Sequence, residues 1–148
     1  MRNKFYAILL TLTIMISYYG CTASKQEVKD EKSEGMAVTY PVNRKDAWEI
    51  SKKVLYWEDC NEIIENQYNG YMLTDIDDSF LIRDGCIVGV WVDSLSANST
   101  RVTVRSKKNG KVQMAISFTE SEFHDGFVIA ADFLKKGQKF QWKDLLIH

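Results

Sequence analysis

The sequence is short of the residues that most often carry chemistry. It has two histidines in 148 residues, His124 and the last residue His148. No serine sits in a nucleophile-elbow pattern, and no cysteine has a histidine partner in the sequence. Three cysteines are too few for a disulfide scaffold. The single proline, Pro41, leaves no proline-rich linker. Charge of one sign is also missing, with 19 Lys and Arg against 20 Asp and Glu, a net of −1. A nucleic-acid binder shows a basic domain, and an electrostatic membrane-surface binder a basic cluster or helix. Neither is present, so no nucleic-acid partner is expected. Nor is there a long apolar run: the uncharged stretch Phe5–Tyr19 supplies about 15 residues where a spanning helix needs about 20.

That stretch is informative for what surrounds it. Arg2 and Lys4 precede it and Gly20-Cys21 follow, the order of a secretion signal with a small residue at the cut site. Tyr18-Tyr19-Gly20-Cys21 resembles a bacterial lipobox, with Tyr18 standing where that pattern prefers Leu or another aliphatic residue. The resemblance implies cleavage before Cys21, diacylation of its thiol, and acylation of the new amine. Two or more chains hold a protein stably on a membrane. An uncleaved short anchor and plain secretion are the alternatives. Thr22 follows the cysteine, in place of the Asp that retains enteric lipoproteins at the inner membrane, which points to the outer membrane facing the periplasm. Residues 1–20 then read as signal peptide. Residues 21–35 read as lipidated cysteine and flexible tether, because Ser24–Gly35 is polar, charged and free of aromatics. Residues 36–148 have the length of one domain.

Within that domain, Met36–Tyr40 reads as a strand stopped by Pro41. Asn43 and Asp46 form a capping-box-like start, and Ala47, Ile50, Val54 and Trp57 keep helical spacing over Arg44–Trp57. Three turn signals follow. Asn69-Gly70 separates Glu62–Gln67 from Tyr71–Ile76, Asp84-Gly85 separates Ser79–Arg83 from Cys86–Asp93, and Asn109-Gly110 separates Thr100–Ser106 from Lys111–Phe118. Thr119 and Glu122 then make a second capping box before a helix that runs through Phe123, Phe127, Ala130, Ala131 and Leu134 to Gly137, with Gly126 a weak point inside it. The apolar tail Lys139–His148 is expected to dock on the domain. The order predicts an α+β fold, an antiparallel sheet of five to six strands with two helices on one face.

Chemistry-bearing patterns are few. A calcium loop starting at Asp75 has Asp77 in place but fails at Ser79 and Phe80, where a ligand and the turn glycine are required. No metal or cofactor is therefore expected. Arg101, Thr103, Arg105 and Lys107 alternate with apolar or small residues, as on a half-exposed strand whose charges are solvated. Two-residue turns at Asn69-Gly70 and Asp84-Gly85 would place Cys60 near Ser79 and Cys86 against Arg83, too far apart for a disulfide. The same Asp84-Gly85 turn would face Ile82 with Ile87 and put Leu81, Val88, Val90 and Val92 on one face. Phe80, Ile82, Ile87 and Trp91 would share the other. One face meets the helices; the second is covered by the C-terminal tail through Trp142 and Leu145, or is an interaction face.

The lipobox, the Asn43–Trp57 helix and Thr100-Arg101-Val102-Thr103-Val104-Arg105 together resemble a family of small uncharacterised bacterial lipoproteins, a domain-of-unknown-function group. That resemblance implies an envelope lipoprotein without known catalysis and names no ligand. The expectation is a non-enzymatic lipid-anchored protein that contacts another envelope protein through Phe80, Ile82, Ile87 and Trp91. The alternatives are a carrier of a small apolar ligand, lined by Trp48, Trp57 and Phe127, and an inhibitor or immunity factor against a wall-degrading enzyme.

Overall fold

The computed structural model describes residues 23–58, 60, 62–76, 85–108 and 119–137. In chain order its elements are α1 (Lys25–Asp30), a 3-10 turn (Lys32–Glu34), β1 (Met36–Tyr40), α2 (Arg44–Trp57), β2 (Ile64–Asn66), β3 (Tyr71–Ile76), β4 (Cys86–Ser96), β5 (Ser99–Lys108) and α3 (Glu120–Lys135). The strands form one antiparallel sheet in the order β1-β5-β4-β3-β2. α2 and α3 pack on one face and α1 on the other. The α+β class expected from the sequence is the one found.

Local signals set both long helices. Asn43 Oδ1 accepts from the Asp46 N–H at 2.9 Å, and Asn43 Nδ2 donates to the Asp46 carboxylate at 2.8 Å. In α3 the Thr119 and Glu122 side chains each bond the other's backbone N–H, which satisfies two of the orphan donors at a helix start. Gly137, at φ +64, takes the left-handed position just past the last turn. Gly126 lies where the helices approach: a Cβ there would be 3.3 Å from Val54 Cγ1 of α2. The main core joins Ile50, Val54 and Leu55 of α2, Phe123 and Phe127 of α3, and Val88, Val90, Val92, Val102 and Val104 of the sheet.

β4 is the central strand. Every residue from Cys86 to Val92 is buried, because alternate side chains meet the long helices on one face and α1 on the other. This position corrects the expected Ser79–Arg83 hairpin. Ile87 lies between Asp75 of β3 and Lys107 of β5, so both edges of β4 are already taken where Ile82 was to pair. A strand apolar on both faces belongs in the middle of a sheet, and its hydrogen bonds go to two neighbours. Its own hairpin partner is β5, through a turn at Ala97-Asn98 between Ser96 and Ser99. Residues 77–84 and 109–118, which include the expected strands Ser79–Arg83 and Lys111–Phe118, lie outside the described residues, as does the tail from 138.

The Asn69-Gly70 signal is a turn, with Gly70 at φ +70, but not a two-residue one. Asn66 pairs with Tyr71, so residues 67–70 form the loop. Asn66 Oδ1 accepts from the Asn69 N–H at 2.9 Å, and Arg44 donates to the Gln67 carbonyl at 2.8 Å, which holds the wider loop. The register therefore moves Cys60 to Ile76, whose other neighbour is Cys86. Two strand spacings put the cysteines about 10 Å apart, beyond disulfide reach. No disulfide joins them: Cys60 is half-buried and Cys86 buried.

Candidate functional site

The second face of the sheet is where the sequence placed an interaction surface. Ile87 and Trp91 are 3 % and 4 % exposed, in a small core with Leu73 and Val28. Phe80 and Ile82 lie outside the described residues, as does Cys21. β4 itself thus has the two-faced pattern expected, and Ile87 and Trp91 do share a face opposite Val88, Val90 and Val92. What covers them is α1. Val28, fully buried, reaches into the cluster from above, and Ala23 packs at its margin. Gly89 makes the room. A Cβ there would sit 2.6 Å from Trp91 Cη2 and 3.0 Å from Val28 Cγ1, so the indole lies over the bare backbone.

The segment read as a flexible tether is therefore part of the domain from Ala23 onward. Ser24 is the N-cap of α1, its Oγ accepting from the Glu27 N–H at 3.1 Å. Ser24-Lys25-Gln26-Glu27 carries the S-x-x-E spacing of a capping box, a signal in the sequence that the polar composition hid. Gly35 follows close against β5, where a Cβ would lie 2.5 Å from the Val104 carbonyl oxygen.

Charges clamp this strap at both margins. On the β5 side, Arg105 donates to Glu31 at 2.8 Å and to Glu34 at 3.3 Å, and Lys107 donates to Glu27 and Glu31. On the β3 side, Lys25 pairs with Asp75 at 2.6 Å, and Lys29 Nζ stands 4.9 Å from the centre of the Tyr71 ring. Lys32 reaches Asp93 of β4 at 2.8 Å. The hydrogen bonds from Lys107, then from Arg105, hold the Glu31 carboxyl below its ordinary range. Of the strand charges expected to be merely solvated, Arg105 and Lys107 are thus engaged in holding α1 and Arg101 is exposed; the uncharged Thr103 between them is buried.

His124 is 4 % exposed and tied on both nitrogens. Its Nε2–H donates to the Met36 carbonyl at 3.1 Å, which leaves Nδ1 to accept from the Tyr40 hydroxyl at 2.7 Å. Burial holds the imidazole below its ordinary pKa and pushes the Tyr40 phenol up. Tyr40 also stacks on Phe127, ring centres 4.1 Å apart. The histidine thus joins α3 to β1. Glu120 at the start of α3 does the same, accepting from the Met36 N–H at 3.0 Å and the Ser106 N–H at 2.9 Å.

The positions suggested for an apolar ligand pocket are filled by packing. Phe127 is fully buried, Trp57 packs against the core, and Trp48 is buried with its indole N–H donating to Glu65 at 3.0 Å. Glu65 also pairs with Lys52 at 2.6 Å, and that contact holds its carboxyl low. A cleft of about 480 Å³ is lined by Trp48 with Arg44, Lys45, Glu49 and Gln67. Among the described residues no three His, Cys, Asp or Glu side chains gather as a metal site, and no helix is long and apolar enough to cross a membrane.

Fold and site together define a small α+β protein with its N-terminal segment strapped over the back of its sheet. No family model matches the chain, and no curated protein matches it.

Proposed function

We propose that this is a non-enzymatic, lipid-anchored protein of the bacterial envelope, a structural or protein-interaction module held on the membrane by acylated Cys21. The observation that carries the reading is the N-terminal pattern: Arg2 and Lys4, the uncharged run Phe5–Tyr19, and then Gly20-Cys21. Two features of the domain support a non-catalytic role. His124, the one histidine among the described residues, spends both ring nitrogens on joining α3 to β1. The strongest charge cluster, Arg105 and Lys107 with Glu27, Glu31 and Glu34, is engaged in holding α1. Because Ile87 and Trp91 are covered, a protein partner meets some other surface.

The test is intact mass of the membrane-extracted protein, native and Cys21→Ala. Loss of residues 1–20 with addition of acyl chains, and an unprocessed mutant, is the expected result. An unacylated native chain would sink the reading.

A further inference from the structure

The face beneath α1 is sorted by charge. Paired residues cross it in rows: Asp75 with Ile87 and Lys107, Leu73 with Gly89 and Arg105, and Tyr71 with Trp91 and Thr103. β3 thus supplies an acidic margin, β4 an apolar floor and β5 a basic margin, and Asp93 of β4 extends the acidic side. Without a Cβ at Gly89, Trp91 and Val28 both come down on the β4 backbone.

The strap carries the complementary pattern on either side of Val28. Lys25, Lys29 and Lys32 stand at −3, +1 and +4 from it, and Glu27, Glu31 and Glu34 at −1, +3 and +6. At about 3.6 residues per turn these make two stripes of opposite sign with the valine between them. Lys25 meets Asp75, Lys29 the Tyr71 ring and Lys32 Asp93. Glu27 and Glu31 meet Lys107, and Glu31 and Glu34 meet Arg105. Asp75 lies opposite Ile87 and Asp93 stands further along β4, so α1 runs in the direction of that strand.

α1 itself does not need that sorting. Its chain connection to β1 through Gly35 already sets which way it lies, and an apolar cover alone would shield Leu73, Ile87 and Trp91. Reversed, a helix of this pattern would bring lysines over Arg105 and Lys107 and glutamates over Asp75, so the face accepts it in one direction. α1 is also held lightly. It has six residues and one buried side chain, and its ion pairs are partly exposed, where each adds little. A face that reads charge and direction, under a cover that lifts at small cost, has the properties of a helix-in-groove site occupied by its own chain.

We propose that the back of the sheet is a second interaction surface, a trough that takes an amphipathic helix from a partner protein in place of α1. The partner helix carries a small aliphatic residue with lysines along one side and acidic residues along the other, and lies parallel to β4. This goes beyond the reading above and does not depend on the anchor. A partner meets another surface while α1 is seated, and this one once α1 is displaced. The trough and α1 are built wholly from described residues.

The probe is an alanine-based peptide of about 15 residues, long enough to be partly helical alone. It keeps only the valine, the lysines and the glutamates at their α1 spacing. A control peptide of identical composition mixes both charges on each side. Binding to the full chain is read by fluorescence anisotropy. Val28→Asp, and the pair Glu27→Gln with Glu31→Gln, each free the trough and leave its own charges intact. Each should bind the patterned peptide about tenfold more tightly than the native chain does, since seated α1 lowers the apparent affinity. Arg105→Glu with Lys107→Glu also loosens α1 but spoils the basic margin, and should gain nothing. Saturating peptide should deprotect the amides of 25–34 in the native chain to hydrogen exchange. No gain in either freed variant, equal binding of the control peptide, or a full gain in the Arg105→Glu, Lys107→Glu chain overturns the proposal. So does association between copies of a freed variant that the patterned peptide leaves intact, which would make a second copy the occupant.

Discussion

Three positions test the packing one residue at a time. Gly89 leaves room for Trp91, and the nearest indole atom would lie 2.6 Å from an added Cβ, with Val28 at 3.0 Å. Gly89→Ala must push the indole or lift α1, and is expected to cost about 1–3 kcal/mol in urea unfolding. Ser51 is the opposite case. Its hydroxyl is fully buried in α2 with no hydrogen-bond partner among the described residues. Ser51→Ala removes an unpaired polar atom and should raise stability by up to about 1 kcal/mol in the same assay. His124 sets a pH dependence. Its folded pKa lies below the unfolded value of about 6.5, so the neutral ring stabilises the fold fully above that value. That contribution is lost as pH falls from there through the folded pKa, because the unfolded chain takes the proton first. Denaturation midpoints from about pH 8 to about pH 5 should fall, and His124→Gln should flatten that part of the curve.

Among the elements, α1 depends most on its surroundings. Six residues are too few to hold a helix alone, and Val28 is its one buried side chain. Val28→Asp should therefore release α1 while the main core keeps its packing. Hydrogen exchange would show amides of 25–34 losing protection, with β4 and α3 little changed. Protection kept across 25–34 would mean that the ion pairs with Arg105 and Lys107 suffice. Those pairs are partly exposed, so salt should loosen α1 before the sheet. The same dependence on tertiary context explains what the sequence hid. α2 and α3 were legible because their caps are local, Asn43 with Asp46 and Thr119 with Glu122. Their apolar spacing agrees with those caps. In α1 a lone valine gives no periodicity, and only the Ser24 to Glu27 spacing remained to be read. The partners of β4 were hidden for a similar reason. Asp84-Gly85 is a local turn signal, whereas the choice of β3 and β5 as neighbours is made across the whole sheet.

Taken as a whole molecule, the class of fold could be read from turn signals, helix caps and apolar spacing, and the two-sided apolar character of β4 from its unbroken apolar run. The boundary at Met36 could not, because the covering of Leu73, Ile87 and Trp91 comes from upstream of it. A fragment of residues 36–148 is expected to expose that face and self-associate, while residues 23–148 stay monodisperse by light scattering. Matching behaviour would show that α1 is dispensable as a cover. The direction of α1 has a mechanical consequence as well. It runs with β4, from Lys25 beside Asp75, opposite Ile87, to Lys32 beside Asp93. A pull between Ala23 and the far end of the sheet loads the contacts of Lys25, Val28, Glu31 and Lys32 in parallel, as shear. A pull that lifts Ala23 away from the sheet would break them in turn, as a peel. A strap laid this way resists traction along the strands far better than traction across them.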